Sequence, residues 1–214
     1  MLKRGLVWTF CVTLAGCGGF SANRSVPLDS LTQIKANLAF TCKYEQFPEP
    51  SADSDVLFKY ARWLQKNNQL KQDKTVDAQI ERLYRIAAEN GHAKANINLQ
   101  NGSMRGHYKL TAEERLRFSQ ALIEANVATG YYFMAIYLKK GAAGLQEDQE
   151  LALRYFRKAA DQGSAQAQYA VGDILAPIDI APDVARQMRR CAAEQGNGDA
   201  AIALGVDLKN ESRY

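Results

Sequence analysis

The sequence predicts an all-α solenoid, in which antiparallel helix pairs stack on one another along the chain. Three observations predict this fold class. A motif of small residues ending in glycine recurs through the later part of the chain, its copies lie about one helical hairpin apart, and the apolar residues between them follow one helix face.

The composition is that of an ordinary folded domain. Hydrophobic residues make up 47% and charged residues 23% of the 214 residues, which are common globular proportions. Once Lys3 and Arg4 of a predicted signal are set aside, 25 basic residues oppose 23 acidic ones. This near-neutral balance, without any dense run of Lys and Arg, argues against nucleic acid as a partner.

The amino terminus has the pattern of an export signal. A positive cluster precedes an apolar run over residues 6–14, and small residues then lead to Cys17. The run is shorter than the roughly 20 residues that a membrane-spanning helix needs, so it predicts a cleaved signal over residues 1–16. The last four residues of this pattern resemble the lipobox of bacterial lipoproteins: Leu14-Ala15-Gly16-Cys17.

This resemblance implies cleavage before Cys17 and acylation of its thiol and new amino group. More than one acyl chain anchors a protein stably, since each buried methylene contributes about 0.8 kcal/mol. In lipoproteins of the enteric type, an Asp after the acylated Cys favours the inner membrane, and Gly18 stands there instead. We expect an outer-membrane anchor facing the periplasm; the alternative is an ordinary cleaved secretory signal.

The remaining thiols are Cys42 and Cys191, because Cys11 lies in the signal and Cys17 at the lipid site. An oxidising compartment allows a disulfide between the two. They are 149 positions apart, and the sequence does not tell whether their Cα atoms come close enough. Two buried, reduced cysteines are the alternative.

Residues 17–53 are polar and contain several helix breakers, which predicts a tether and lead-in segment with one short helix over 31–40. The repeat domain is expected over 54–214, and Ser54 and Asp55 are candidate caps of its first helix. Residues 56–69 have helical apolar spacing and are interpreted as half of a degenerate capping repeat.

Four glycines define the repeats in the sequence: Gly91, Gly130, Gly163 and Gly196, spaced 39, 33 and 33 residues apart. Each is expected to end the first helix of a pair with a positive φ, and the alanines around it let the helices approach closely. Core positions on the first helices recur at i, i+3, i+4, i+7 and i+8: Ile80, Leu83, Tyr84, Ala87 and Ala88, matched by Ala152, Tyr155, Phe156, Ala159 and Ala160.

The stretch 141–163 closely resembles the Sel1-like repeat, a tetratricopeptide-like helical hairpin. It contains the connecting loop, a capping residue at Asp148, the aromatic positions and the Ala-Ala pair. The resemblance extends over about 77–208, with the third repeat the best match and the second the most divergent. It implies a right-handed α-solenoid and an adaptor role, because Sel1-like proteins are adaptors for macromolecular complexes.

No motif for catalysis is present in the sequence. Its two histidines, His92 and His107, have no metal-ligand spacing and are expected at the surface. Adjacent acids such as Glu113 and Glu114 fall at a helix start, where they stabilise the helix dipole. We therefore expect no catalytic residue, metal, cofactor or small-molecule substrate.

The second repeat carries aromatic residues where the others are polar or small: Tyr131, Phe133 and Tyr137. Phe133 and Tyr137 are four residues apart and share a helix face. If that face is exposed, the three form a candidate protein-binding cluster. The alternative is that this longer repeat packs differently and buries them, against the segment around Cys42.

Lipobox, size and repeat class are similar to those of small Sel1-repeat lipoproteins that act as periplasmic immunity proteins against lipase effectors of the bacterial type VI secretion system. This similarity implies a protein partner, a secreted lipase effector, and contact with the membrane through the lipid anchor. A structural or regulatory adaptor in cell-envelope assembly is the alternative, and an enzyme acting on cell-wall material is a third.

Overall fold

The structure, a computed structural model, describes residues 39–175 and 181–211, and within them the chain forms nine helices and no strand. This confirms the all-α prediction. The predicted signal, Cys17, and all of the predicted helix over 31–40 except its last two residues lie outside the described residues. The helices are α1 (Ala52–Asn68), α2 (Lys74–Glu89), α3 (Ala93–Met104), α4 (Ala112–Glu124), α5 (Thr129–Lys140), α6 (Gln149–Asp161), α7 (Ala165–Leu175), α8 (Pro182–Glu194) and α9 (Gly198–Glu211).

Each helix packs mainly against its neighbours in sequence, as expected of a repeat array. The pairs α2/α3, α4/α5, α6/α7 and α8/α9 are the four repeats, and α1 is a single helix packed on α2. In the described part of the chain, no helix combines the length and apolar character needed to cross a membrane.

Side-chain caps start most of these helices. Asp148 caps α6 as predicted, and Thr111 and Glu114 form a reciprocal capping box at α4. The prediction for α1 was wrong, because its cap is Ser51, whose side chain accepts the Ser54 amide. Ser54 lies buried in the first turn.

His92 is buried, which corrects the expectation of a surface histidine. It caps α3, with Nδ1 accepting a hydrogen bond from the Ala95 amide at 3.2 Å, and its ring packs at a tilt against Phe58 with centroids 4.3 Å apart. Its Nε2 lies 3.6 Å from Asp55. Burial lowers the pKa of the imidazole, and the Asp55 carboxylate opposes that shift. His107 is exposed as expected.

The glycine register was wrong in the second repeat. Gly91, Gly163 and Gly196 have φ of 79°, 106° and 87°, as a left-handed helix end requires, but the equivalent residue after α4 is Asn126, with φ of 58°. Asparagine tolerates this conformation better than most residues. The repeat spacings measured from these residues are 35, 37 and 33.

Gly130 instead lies inside α5, four residues after Asn126, where the other repeats carry alanine: Ala95, Ala167 and Ala200. A Cβ atom on Gly130 would lie 2.8 Å from both the Ser119 carbonyl oxygen and the Ile123 amide nitrogen. The glycine therefore lets α5 approach the backbone of α4 more closely than alanine would allow.

Candidate protein-binding groove

A groove of about 1030 Å³ runs along one face of the array. The odd-numbered helices α1, α3, α5 and α7 supply most of its lining, so it crosses all the repeats. Its residues are Glu45, Phe47, Phe58, Arg62, Lys94, Ile97, Asn98, Asn101, Met104, Arg105, Tyr132, Ile136, Lys139, Phe156, Ala165, Gln166, Tyr169, Ala170, Asp173, Ile174, Gln195, Gly196, Asn197, Gly198 and Asp199.

The half of the groove nearer α1 is cationic. Arg62, Lys94, Arg105 and Lys139 line it, and each is exposed. Within the described residues none of the four forms an ion pair with a carboxylate. The Lys94 Nζ lies 5.1 Å above the ring of Phe47, which is 37% exposed.

The half nearer α9 is acidic, with Asp173 and Asp199 in its lining. Asp173 accepts from Arg189 at 3.2 Å, which neutralises part of its charge. Half-buried tyrosines occupy the floor between the two charged regions, namely Tyr132 and Tyr169. The groove therefore combines apolar contact with two charged regions of opposite sign, the pattern of a protein-binding surface.

Residues 39–50, which we call the strap, run from the third and fourth repeats back to the first repeat. Near its start, the Ala39 carbonyl accepts from Arg157 of α6 at 2.7 Å, and Phe40 packs in the core beside α6 and α8. Further along, Phe47 lies against Lys94 of α3. The strap thus ties the last repeats to the first ones and forms one border of the groove.

A disulfide joins the strap to α8. Cys42 and Cys191 are bonded, with their Cα atoms 5.6 Å apart. Next to it, the Lys43 carbonyl accepts from Gln168 Nε2 at 2.8 Å. The sequence left open a disulfide or two reduced cysteines, and the structure contains the disulfide.

Glu45 attaches the strap to the second repeat. Its carboxylate accepts from the Thr129 amide at 2.5 Å and from the Thr129 hydroxyl at 2.7 Å. Burial raises the pKa of this carboxyl, and the two hydrogen bonds partly oppose the shift. The negative charge lies at the N-terminus of α5, where the helix dipole stabilises it.

The three aromatic residues predicted as a binding cluster are in the core, so the exposed-interface interpretation was wrong. Tyr131, Phe133 and Tyr137 are 8%, 0% and 2% exposed. Tyr131 packs in the same cluster as Phe40 of the strap, and the Tyr137 hydroxyl donates to Gln100 at 2.8 Å. The second repeat buries them because its register differs from that of the others.

The sequence interpretation did not identify the residues that line the groove, and Tyr132 is one that it could have found. Counted from Asn126, Tyr132 is at the position of Ile97 and Tyr169, and all three line the groove. The residues four further along, Asn101, Ile136 and Asp173, line it as well. Correct placement of Asn126 as the helix end would have identified this face from the sequence.

Within residues 39–175 and 181–211, no three His, Cys, Asp or Glu side chains are grouped to hold a metal ion. No protein-family model matches the chain.

Solved structures do match it. The Pseudomonas aeruginosa protein PA5086 is 26% identical, with a TM-score of 0.62, over 81% of this chain and 66% of that protein. The immunity protein PA5088 from the same organism is 25% identical, with a TM-score of 0.54, over 75% and 60%. A Sel1 repeat protein from Oxalobacter formigenes is 24% identical, with a TM-score of 0.47, over 71% and 60%.

The solved structures that match this chain thus include an immunity protein from Pseudomonas aeruginosa, which belongs to the kind of protein that the sequence resembles. The chain spans less than two thirds of the length of each of the Pseudomonas proteins described above. The fold and the groove define the class as an all-α helical-repeat protein with a groove along its odd-numbered helices.

Proposed function

We propose that this protein is a non-enzymatic, lipid-anchored immunity protein, which binds a secreted lipase effector of a type VI secretion system in its groove. The observation that carries the proposal is the groove itself, with unpaired cations in the half nearer α1, acidic residues in the half nearer α9 and half-buried aromatic rings between them. The match to an immunity protein at a TM-score of 0.54 supports the same function. The proposal includes acylation at Cys17, which would hold the protein on the periplasmic side of the outer membrane, where a toxin attacking lipids would act.

Inhibition would result from occupation of the groove. An effector segment seated there would occupy about 1030 Å³, and burial of its apolar side chains would hold the effector against this protein and away from a membrane. Because the strap holds the repeats in place through a disulfide, little conformational entropy is lost when the partner binds.

The test is protection of bacterial cells that express the lipase encoded beside the gene for this chain. We expect the full chain to restore growth and to copurify with the lipase. A Cys17→Ala variant should lose protection while still binding the lipase in detergent extracts, because only its anchor is removed. Growth arrest despite normal expression of the full chain, together with no copurification, would refute the immunity proposal.

Tyr132→Ala is the matched test of the binding face, and Tyr60→Ala is its control. Both tyrosines are on odd-numbered helices, but Tyr60 is outside the groove and 51% exposed. We expect the first change to weaken copurification and the second to leave it unaltered. Equal binding by both variants would place the partner elsewhere. Copurification of an envelope-assembly protein in place of the lipase would favour the adaptor alternative.

A further inference from the structure

A second cavity opens beside the cationic half of the groove. It encloses about 520 Å³ between α1, α2 and the turn after α3. Four side chains line both spaces: Arg62, Asn98, Asn101 and Arg105. They therefore lie where the groove and the second cavity meet, and we call this place the junction.

The two arginines of the junction differ from several other arginines of the structure. Arg85 pairs with Glu81 and Glu114, and Arg189 pairs with Asp173 and Asp207. By contrast, Arg62 contacts neutral groups, namely the amide oxygen of Gln65 at 3.4 Å and the hydroxyl of Tyr84. Among the residues that the structure describes, neither Arg62 nor Arg105 has a carboxylate within ion-pair distance.

The chemistry of the junction suits a carboxylate. A guanidinium presents planar N–H donors that match the two oxygens of a carboxylate, and such hydrogen bonds are stronger than neutral ones. Asn98 and Asn101 can pair with the backbone of a bound segment, because an amide both donates and accepts. Phe58, which lines the groove on α1, offers apolar contact next to these polar groups.

The other end of the groove excludes a long polyanion. Asp173 and Asp199 would repel nucleic acid or a sheet of anionic lipid headgroups laid along its full length. A protein segment can change charge along its length, so it can be acidic at the junction and neutral or basic near α9. The occupant that fits both ends is therefore a segment of a protein.

We propose that the junction binds Asp or Glu side chains from an acidic loop of the partner protein, which then continues along the groove towards α9. The proposal rests on the proposed function, because it specifies the partner chemistry of the same groove. Arg62 and Arg105 are its anchors, in the manner of the buried arginines that dominate many interfaces.

The probe is a synthetic peptide with Glu at one end, Phe and Leu in the middle and Lys at the other end. Its matched control carries Gln in place of Glu. Binding of each labelled peptide to the purified full chain in nonionic detergent is measured by fluorescence anisotropy. We expect the Glu peptide to bind at least about tenfold more tightly than the Gln peptide. Its binding should weaken as salt is added, because salt screens the charges.

Arg105→Glu and Arg62→Glu are each expected to weaken binding of the Glu peptide by at least about tenfold. Arg82→Glu is the control, since Arg82 is exposed on α2 and lines neither cavity. Arg105→Gln removes the charge without reversing it and guards against misfolding, which circular dichroism would also reveal. Equal binding of both peptides, or of all variants, overturns the proposal.

Vesicles of phosphatidylglycerol and phosphatidylethanolamine provide the remaining comparison. Sedimentation with vesicles that depends on Arg62 and Arg105 as strongly as peptide binding does would assign the junction to lipid and overturn the proposal. The protection assay is independent of these measurements. If the peptide binds but the cells are not protected, the carboxylate-binding junction is supported and the immunity function is refuted. If the cells are protected but binding does not depend on the two arginines, the immunity function is supported and the junction proposal is refuted.

Discussion

The second and third repeats form similar hairpins with opposite distributions of side-chain volume. In the third repeat, Ala160 of α6 is at the helix contact and Ala167 of α7 is buried beside it. In the second, Ile123 of α4 is at the position of Ala160, and Gly130 of α5 is at the position of Ala167. A larger residue on one helix is thus matched by a smaller one on the other, since helix spacing depends on both.

The two repeats also differ in how they contact the strap. At the third repeat, Gly163 lies so close to the strap that an added Cβ would be 2.7 Å from the Glu45 amide nitrogen. At the second, the contact is made by the Glu45 side chain, which accepts hydrogen bonds from the amide and the hydroxyl of Thr129. The third repeat is therefore expected to tolerate less change at its helix end than the second.

Among the changes considered, removal of the disulfide should lower the free energy of unfolding the most, because it releases the strap from the repeats. A Cys42→Ala/Cys191→Ala variant opens a loop of 149 residues and is expected to lose about 2–5 kcal/mol of the free energy of unfolding. Urea titration measures the loss, and the wild type in reductant should reproduce it. Hydrogen exchange should increase more around Gly163 than around Asn126. Unchanged urea midpoints would show that the strap does not stabilise the array.

Gly163→Ala should cost about 3 kcal/mol or more, because a left-handed conformation and a steric clash combine there. Gly91→Ala is the matched control, since Gly91 has φ of 79° and no atom within 4 Å of an added Cβ. Strain alone should cost that variant about 1–2 kcal/mol. Thermal unfolding gives both values. Equal losses would mean that the strap moves away from the new methyl group without a further loss of stability.

Gly130→Ala is expected to destabilise the protein by about 1–3 kcal/mol, because backbone atoms of α4 occupy the space of the new methyl group. The reciprocal change in the third repeat, Ala167→Gly, should cost about 1 kcal/mol through helix propensity, plus the loss of one buried methyl group. Urea unfolding of the two variants separates packing from propensity. A neutral Gly130→Ala variant would contradict the close approach of α5 to α4.

The strap contact of the second repeat should depend on pH. Burial raises the pKa of Glu45 above its usual 4.5, so its contribution to stability is fully present below that value and is lost as pH rises through the folded-state pKa. Compared with Glu45→Gln, the wild type should therefore lose stability as the pH rises from 4.5 into the neutral range. Urea midpoints across this range measure the difference in stability between the wild type and Glu45→Gln at each pH. A difference that does not change with pH would exclude a raised pKa of Glu45.

Asn126→Gly should have the smallest effect. Glycine adopts the left-handed conformation more easily than asparagine, but the unfolded chain also gains freedom, so the net change is expected to stay within about 1 kcal/mol. Thermal unfolding is again the measurement. A large loss would show that the Asn126 side chain contributes more than its backbone conformation.

The sequence by itself determined the helical repeats. Apolar spacing, helix caps and the Ala-Ala pairs depend on neighbours within a few residues, so the periodicity of the chain reveals them. Ile80 and Tyr84 in α2, and Ala159 and Ala160 in α6, are buried as predicted. The cap at Asp148 is local in the same way.

Tertiary structure alone decided the register of the second repeat, the burial of Tyr131 and the path of the strap. The Gly130 motif looks like a helix end in the sequence, and only the approach of α5 to α4 shows that it is a packing position. Likewise, Cys42 and Cys191 come within 5.6 Å only after the repeats stack and the strap folds back across them. Long-range packing of this kind has no periodic signal, because it depends on residues far apart in the chain.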